Sequence, residues 1–173
     1  LSHVSGLPED LGPRESRYQD RATIDEVVDQ MCRLPLISAP GETLRYSNAG
    51  FGVLARLVEK ATDRHFWDVT HSEVFEPLGL TDIVPNPRGD QLVRVARLAD
   101  SSHEGTELET YNGEYWRGLA LPWGGLFGTP RAAVTFAGAF LDGAALSPAS
   151  IALMTRDQTN GVPGGVERLA DPA

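Results

Sequence analysis

The residues of this chain best suited by type and spacing to do chemistry lie in Thr43-Leu-Arg-Tyr-Ser-Asn-Ala-Gly-Phe-Gly-Val-Leu54. There a phenol and a carboxamide, Tyr46 and Asn48, stand two apart. A phenol, with a reference pKa of roughly 10, accepts a proton usefully only where nearby cations stabilise its phenolate. A carboxamide presents a donor and an acceptor together, which suits it to hold an amide or ester group. The same triplet has a mechanical reading. With Ser47 as N-cap, Tyr46 falls at N′ and Phe51 at N4, the positions of a hydrophobic staple at a helix start. Spacing alone favours the staple, because Tyr-x-Asn is a short pattern, and both readings stand at this point.

The elements that would position the triplet are mainly helical. Thr23-Ile-Asp-Glu26 is a capping box, and Ile24, Val27, Val28 and Met31 behind it recur at helical spacing, so a helix is expected over 23–33. After Asn48 the set Phe51, Leu54, Leu57, Val58 and Ala61 falls on one face, with Arg56, Glu59 and Lys60 outside it. A further helix is expected over 65–75, broken by Pro77-Leu-Gly-Leu80. From Thr81 to Leu121 the pattern dissolves into short alternating pieces such as Leu92–Leu98, then an acidic loop with Glu104, Glu107, Glu109 and Glu114 that reads as solvated surface. Thr129-Pro130 and Ser147-Pro148 each supply an N-cap and an N1 proline. The first of these helices is expected to bury Ala133, Phe136, Ala137 and Phe140 and to stop at Gly143. Residues 1–22 read as loop with little order of their own, and few segments have the length or β-branched content of a core strand.

Composition excludes several function classes. The formal charge is −9 and no run of Lys and Arg occurs, so nucleic acid is not an expected partner. Lys60 is the only lysine and Cys32 the only cysteine, so no disulfide forms within the chain and the compartment stays undetermined. No apolar run reaches the roughly 20 residues that cross a bilayer. His65, His71 and His103 lack a metal-binding spacing and read as surface or half-buried histidines. Trp123-Gly124-Gly125 could line a substrate pocket, since glycine lets backbone approach a ligand, or could form a tight turn before the helix at Thr129.

Five segments follow one another in order: Leu1-Ser-His-Val-Ser-Gly-Leu-Pro8, Pro40 to Leu54, Val74-Phe-Glu-Pro-Leu-Gly-Leu-Thr-Asp82, Trp123-Gly-Gly-Leu-Phe-Gly-Thr-Pro130 and Leu146-Ser-Pro-Ala-Ser150. Together they resemble the serine β-lactamase-like hydrolases: class C β-lactamases, D-alanyl-D-alanine carboxypeptidases and related esterases. The resemblance implies an α+β, β-lactamase/transpeptidase-like fold. Residues 1–173 would be a single partial domain, the mainly helical central part with little of the sheet. It also implies an acyl-transfer site built from Ser-x-x-Lys, Tyr-x-Asn and a Lys-Thr-Gly or His-x-Gly strand, which works through an acyl-serine and needs no metal or organic cofactor. Tyr46 would be the catalytic base and Asn48 would orient the substrate, with Trp123, Gly124 and Gly125 as further substrate-binding candidates. His3 resembles a position that supports a loop.

The chain departs from the family pattern at the nucleophile, since no serine has a lysine three residues on. Nothing between Gly161 and Ala173 matches the third element either. The missing elements are therefore expected outside these residues, and the segment alone is expected to be inactive. The expected partner is a small-molecule or peptide substrate. Two alternatives remain: a non-catalytic binding or interaction module that keeps the fold, and one piece of a split protein whose companion chain carries the nucleophile.

Overall fold

The computed structural model describes residues 2–12, 16–99, 101–159 and 161–162. Its first helix, α1 (Ile24–Met31), begins with the expected capping box: Glu26 N–H donates to Thr23 Oγ1 at 3.3 Å and Thr23 N–H to Glu26 Oε2 at 2.8 Å. Val27, Val28 and Met31 are buried, as the helical spacing requires. Leu11, Ala22, Val27, Met31 and Ala49 form one core cluster, with Tyr18, Leu34, Val53 and Trp123 packed against it.

The second helix, α2 (Asn48–Thr62), does not bury the face that periodicity predicts. Its buried residues are Ala49, Gly52 and Ala55, whereas Leu57 is 58% exposed. Small residues let the α2 backbone close on α1, and a Cβ on Gly52 would stand 2.6 Å from Met31 Sδ. Arg56, expected outside, lies at this contact. Its guanidinium bonds Asp25 Oδ1 (3.0 Å) and Asp29 Oδ1 (2.9 Å) of α1 and Glu59 Oε2 (2.7 Å) of its own helix, so a charge-assisted network ties the two together.

The helix expected over 65–75 is α3 (Phe66–Thr70), which continues into a π-helical turn at His71–Phe75. Glu59 Oε1 accepts Phe66 N–H at 3.0 Å and so ties the start of α3 to α2. A second cluster of Phe75, Leu80 and Ala132 joins this region to α5 (Pro130–Leu141). The only strands among the described residues are β1 (Ile83–Val84) and β2 (Phe127–Gly128), paired antiparallel with Ile83 opposite Gly128. The Leu92–Leu98 stretch forms no strand: its first part belongs to a 3-10 turn over Gly89–Arg94, Val95 leaves that turn in extended conformation, and a short helix α4 (Glu114–Gly118) follows. The two proline-led helices start where expected. In α5, however, Ala132 and Ala139 are the buried residues, while Ala133 and Ala137 are exposed and Phe136 is 36% exposed. α6 (Pro148–Thr155) buries no residue fully. Residues 163–173 lie outside the described residues, and with them most of the segment in which no third motif is found.

The acidic loop is built around a buried carboxylate rather than being solvated throughout. Glu109 is buried and accepts hydrogen bonds from Ser101 Oγ (2.7 Å), Asn112 Nδ2 (2.8 Å), Gly105 N–H (3.2 Å) and Arg97 (2.6 Å). The Ser101 hydroxyl, then the Asn112 amide, with the Gly105 N–H and the Arg97 charge, hold its pKa down to about 2. A depressed carboxylate pKa stabilises the fold above the unfolded value near 4.5, and that contribution fades as pH falls from there toward 2. Protection of the Leu98 amide, which donates to Asn112 Oδ1 at 2.9 Å, is therefore expected to be flat from pH 7 to about 5 and to fall below. In Glu109→Gln it should be lower throughout and lose that acid-side drop, as hydrogen exchange corrected for intrinsic rates will read.

Candidate active site

Residues 2–12 are not a loop without order. They form a clasp around the segment that carries Tyr46 and Asn48. Ile37 N–H donates to Gly6 O, Gly41 N–H to Val4 O and Arg45 N–H to His3 O, each at 2.8 Å. At Gly6 the chain has φ +78°, and a Cβ would stand 2.3 Å from Ser38 O, so only glycine fits this crossing.

The clasp then satisfies the start of α2. A helix leaves its first four N–H groups without intrahelical partners. Here Ser47 N–H donates to His3 Nδ1 (3.1 Å), Asn48 and Ala49 N–H both donate to Glu9 O (2.7 and 3.1 Å), and Gly50 N–H donates to Ser47 Oγ (2.9 Å). Ser47 is thus the N-cap the sequence indicates; it is buried, and its hydroxyl donates to Pro8 O at 2.7 Å. With all four donors engaged, this helix terminus is closed to an oxyanion.

The staple between Tyr46 and Phe51 runs through a third ring. His3 stacks on Tyr46 with centroids 4.7 Å apart and planes at 28°, and meets Phe51 at 5.4 Å. The Ser47 N–H donor requires a bare Nδ1, so the imidazole carries its proton on Nε2. Burial pushes the His3 pKa below its ordinary value, which keeps that acceptor free. The family resemblance implies loop support for His3; its contact with Tyr46 has no signal in the spacing.

On this frame the two candidate side chains emerge on either side of buried Ser47. Tyr46 is 50% exposed, and its hydroxyl makes no hydrogen bond among the described residues. Asn48 is half-buried; its Nδ2 donates to Asp10 Oδ2 at 3.2 Å, while its Oδ1 accepts nothing among the described residues. Asp10 in turn acts on Tyr18, whose phenol is pushed up by burial and then by that carboxylate. Tyr18 packs on Trp116 at 4.7 Å. Trp116 lines a cavity of about 550 Å³ together with Gly124, Gly125, Tyr111 and Arg94.

The Trp123-Gly124-Gly125 group is divided by the structure. Trp123 packs against the first core cluster, with Cζ3 3.3 Å from where a Gly52 Cβ would be, and does not line the cavity. Gly125 lines it and also makes a tight turn, because a Cβ would stand 2.2 Å from Leu121 N. Gly124 has nothing within 4 Å of a Cβ, so a side chain there would meet open space. Among the described residues no group of three or more His, Cys, Asp or Glu could hold a metal ion, and no helix is long and apolar enough to cross a membrane.

A helix-rich layer with a two-stranded ribbon, in which Tyr-x-Asn stands at the head of α2, defines part of a β-lactamase/transpeptidase-like fold. The chain belongs to the beta-lactamase family, whose profile matches residues 1–170. It is 32% identical over 171 residues to penicillin-binding protein 4 of Amycolatopsis lactamdurans, covering 93% of this chain and 43% of that protein. The D-amino acid amidase of Ochrobactrum anthropi SV3, solved with L-phenylalanine amide, superposes with a TM-score of 0.67 at 25% identity, over 87% of this chain and 46% of its own. Simvastatin synthase (LovD) from Aspergillus terreus shares the fold, with a TM-score of 0.65 at 24% identity over 91% of this chain and 39% of its own. The chain therefore spans less than half the length of these proteins.

Proposed function

We propose that this chain is the central part of a serine hydrolase that transfers an acyl group from an amide, β-lactam or ester substrate through a covalent acyl-serine. Tyr46 acts as the proton-transferring base and Asn48 orients the substrate. The observation that carries this reading is what the clasp leaves free. Every N–H at the head of α2 is engaged, yet the Tyr46 hydroxyl and the Asn48 Oδ1 make no hydrogen bond among the described residues. Groups without partners on a rigidly held frame are available to a substrate. The names of the relatives, an amidase and a penicillin-binding protein, support the acyl-transfer class.

In the first step the serine Oγ–H proton passes to the Tyr46 oxygen as the Oγ–C bond forms. The C–N or C–O bond then breaks, and the leaving group takes up that proton. A cation must sustain the phenolate, and Lys60 does not supply it. It is exposed and lies 12 residues beyond Asn48, about 18 Å along α2 at 1.5 Å per residue. The nucleophile and its lysine therefore come from outside residues 1–173. The oxyanion donors likewise come from elsewhere, because the α2 terminus is fully engaged.

Treating the full-length protein with a fluorescent penicillin or a fluorophosphonate probe is expected to label one serine outside residues 1–173 stoichiometrically. The isolated segment should take up neither probe. Labelling of a serine within the segment would overturn the assignment, and a full-length protein inert to both probes would favour the non-catalytic binding module.

A further inference from the structure

The 550 Å³ cavity has a charge balance opposite to that of the chain. Its charged lining residues are Asp82, Arg94 and Arg117, two cations against one anion, on a chain whose formal charge is −9. The Arg94 guanidinium makes no hydrogen bond or ion pair among the described residues. Arg117 uses only Nε, which donates to Tyr111 O at 3.3 Å, and its two terminal nitrogens keep their donors. Asp82 neutralises neither, since no ion pair within 4.0 Å joins it to them.

The rest of the wall is largely apolar, with Leu98, Tyr111 and Trp116 prominent. Leu98 is 55% and Tyr111 57% exposed, so apolar surface is held open toward solvent where folding alone would not favour it. The wall is also pre-organised. Leu98 exchanges two hydrogen bonds with the Asn112 side chain, each 2.9 Å, and Asn112 is bound to the buried Glu109 at 2.8 Å. Tyr111, next to Asn112, is held at φ 65°, a conformation that most residues with a side chain avoid. Fixing such a wall before a ligand arrives lowers the ordering cost of binding.

We propose that this cavity binds a small molecule with an aryl or alkyl body and one carboxylate, the body lying against Leu98, Tyr111 and Trp116 and the carboxylate pairing with Arg94 and Arg117. Planar guanidiniums match a carboxylate with paired N–H donors, and a partly enclosed apolar site strengthens that pairing. Asn48 does not line the cavity; it is linked to it only in steps, by its hydrogen bond to Asp10, by the charge of Asp10 on Tyr18, and by the packing of Tyr18 on Trp116. The carboxylate would therefore belong to a substrate substituent remote from the bond being broken. That placement rests on the hydrolase reading; the binding does not.

The test is a titration of the full-length protein with 3-phenylpropanoate and with its neutral amide, 3-phenylpropanamide, followed at the Trp116 indole N–H by NMR. The acid is expected to saturate and to bind at least tenfold more tightly than the amide. Arg94→Gln should weaken the acid at least fivefold and leave the amide unchanged. Gly124→Leu, whose Cβ would meet nothing within 4 Å, should block both probes. Equal affinity for acid and amide would overturn the proposal, as would an Arg94→Gln protein that binds the acid undiminished. The hydrolase reading fails separately, through the covalent probes, so acid binding by a protein that is never acylated would leave the cavity assigned and the catalysis withdrawn.

Discussion

Replacing Tyr46 by Phe in the full-length protein is expected to lower acyl-transfer turnover by about 10²- to 10⁴-fold, the range that a positioned acid–base group contributes. Unfolding free energy should change by no more than about 0.5 kcal/mol. The two expectations come from different parts of the side chain. The ring is structural: it stacks on His3 at 4.7 Å, and Phe keeps that stack. The hydroxyl has no partner among the described residues and half of the residue is open to solvent, so its removal leaves no orphaned buried group. A purely mechanical staple predicts the reverse pattern, in which Tyr46→Phe is silent in both measurements and only Tyr46→Ala, which removes the ring, has an effect. Turnover measured beside urea unfolding for both variants separates the roles. A Phe variant within about threefold of the parent would end the case for a catalytic phenol.

The local signals in the sequence were those that act within a few residues. Thr23 with Glu26, Ser47, Thr129-Pro130 and Ser147-Pro148 all begin helices where their side-chain chemistry says they should, because a cap and its N–H partner lie in one turn. What was not legible depends on partners distant in the chain. The packed face of α2 is Ala49, Gly52 and Ala55 because α1 needs close approach, and a hydrophobicity pattern weights the larger Leu54 and Leu57 instead. The Glu109 carboxylate reads as one acid among several until Arg97, Ser101 and Asn112 converge on it. Of the candidate site, Tyr46 and Asn48 were legible as types. Their frame was not, since nothing in His3, Glu9 or Asp10 says that they meet residues about 40 positions away.

That frame gives the second large effect. Gly6→Ala is expected to destabilise the protein by about 2–4 kcal/mol, the sum of a left-handed backbone conformation imposed on alanine and an unrelieved clash. The clash is the larger part. The new Cβ would meet Ser38 O at 2.3 Å, and a backbone carbonyl cannot rotate aside as a side chain can. The Ile37 to Gly6 hydrogen bond lies at the same crossing, so relief requires the two segments to separate. Gly41→Ala is the matched control. It also sits at positive φ, +82°, but has nothing within 4 Å of a Cβ, so about 1 kcal/mol is expected there. Against a typical domain stability of about 5–15 kcal/mol, the Gly6 variant is expected to fold, but with its clasp loosened. Hydrogen exchange at the Ser47 and Asn48 amides, whose acceptors are His3 and Glu9, reports that loosening directly. Faster exchange at these two amides with the α1 amides unchanged is the expected signature. Equal stability of the Gly6 and Gly41 variants would mean that the crossing does not hold the Tyr46 frame.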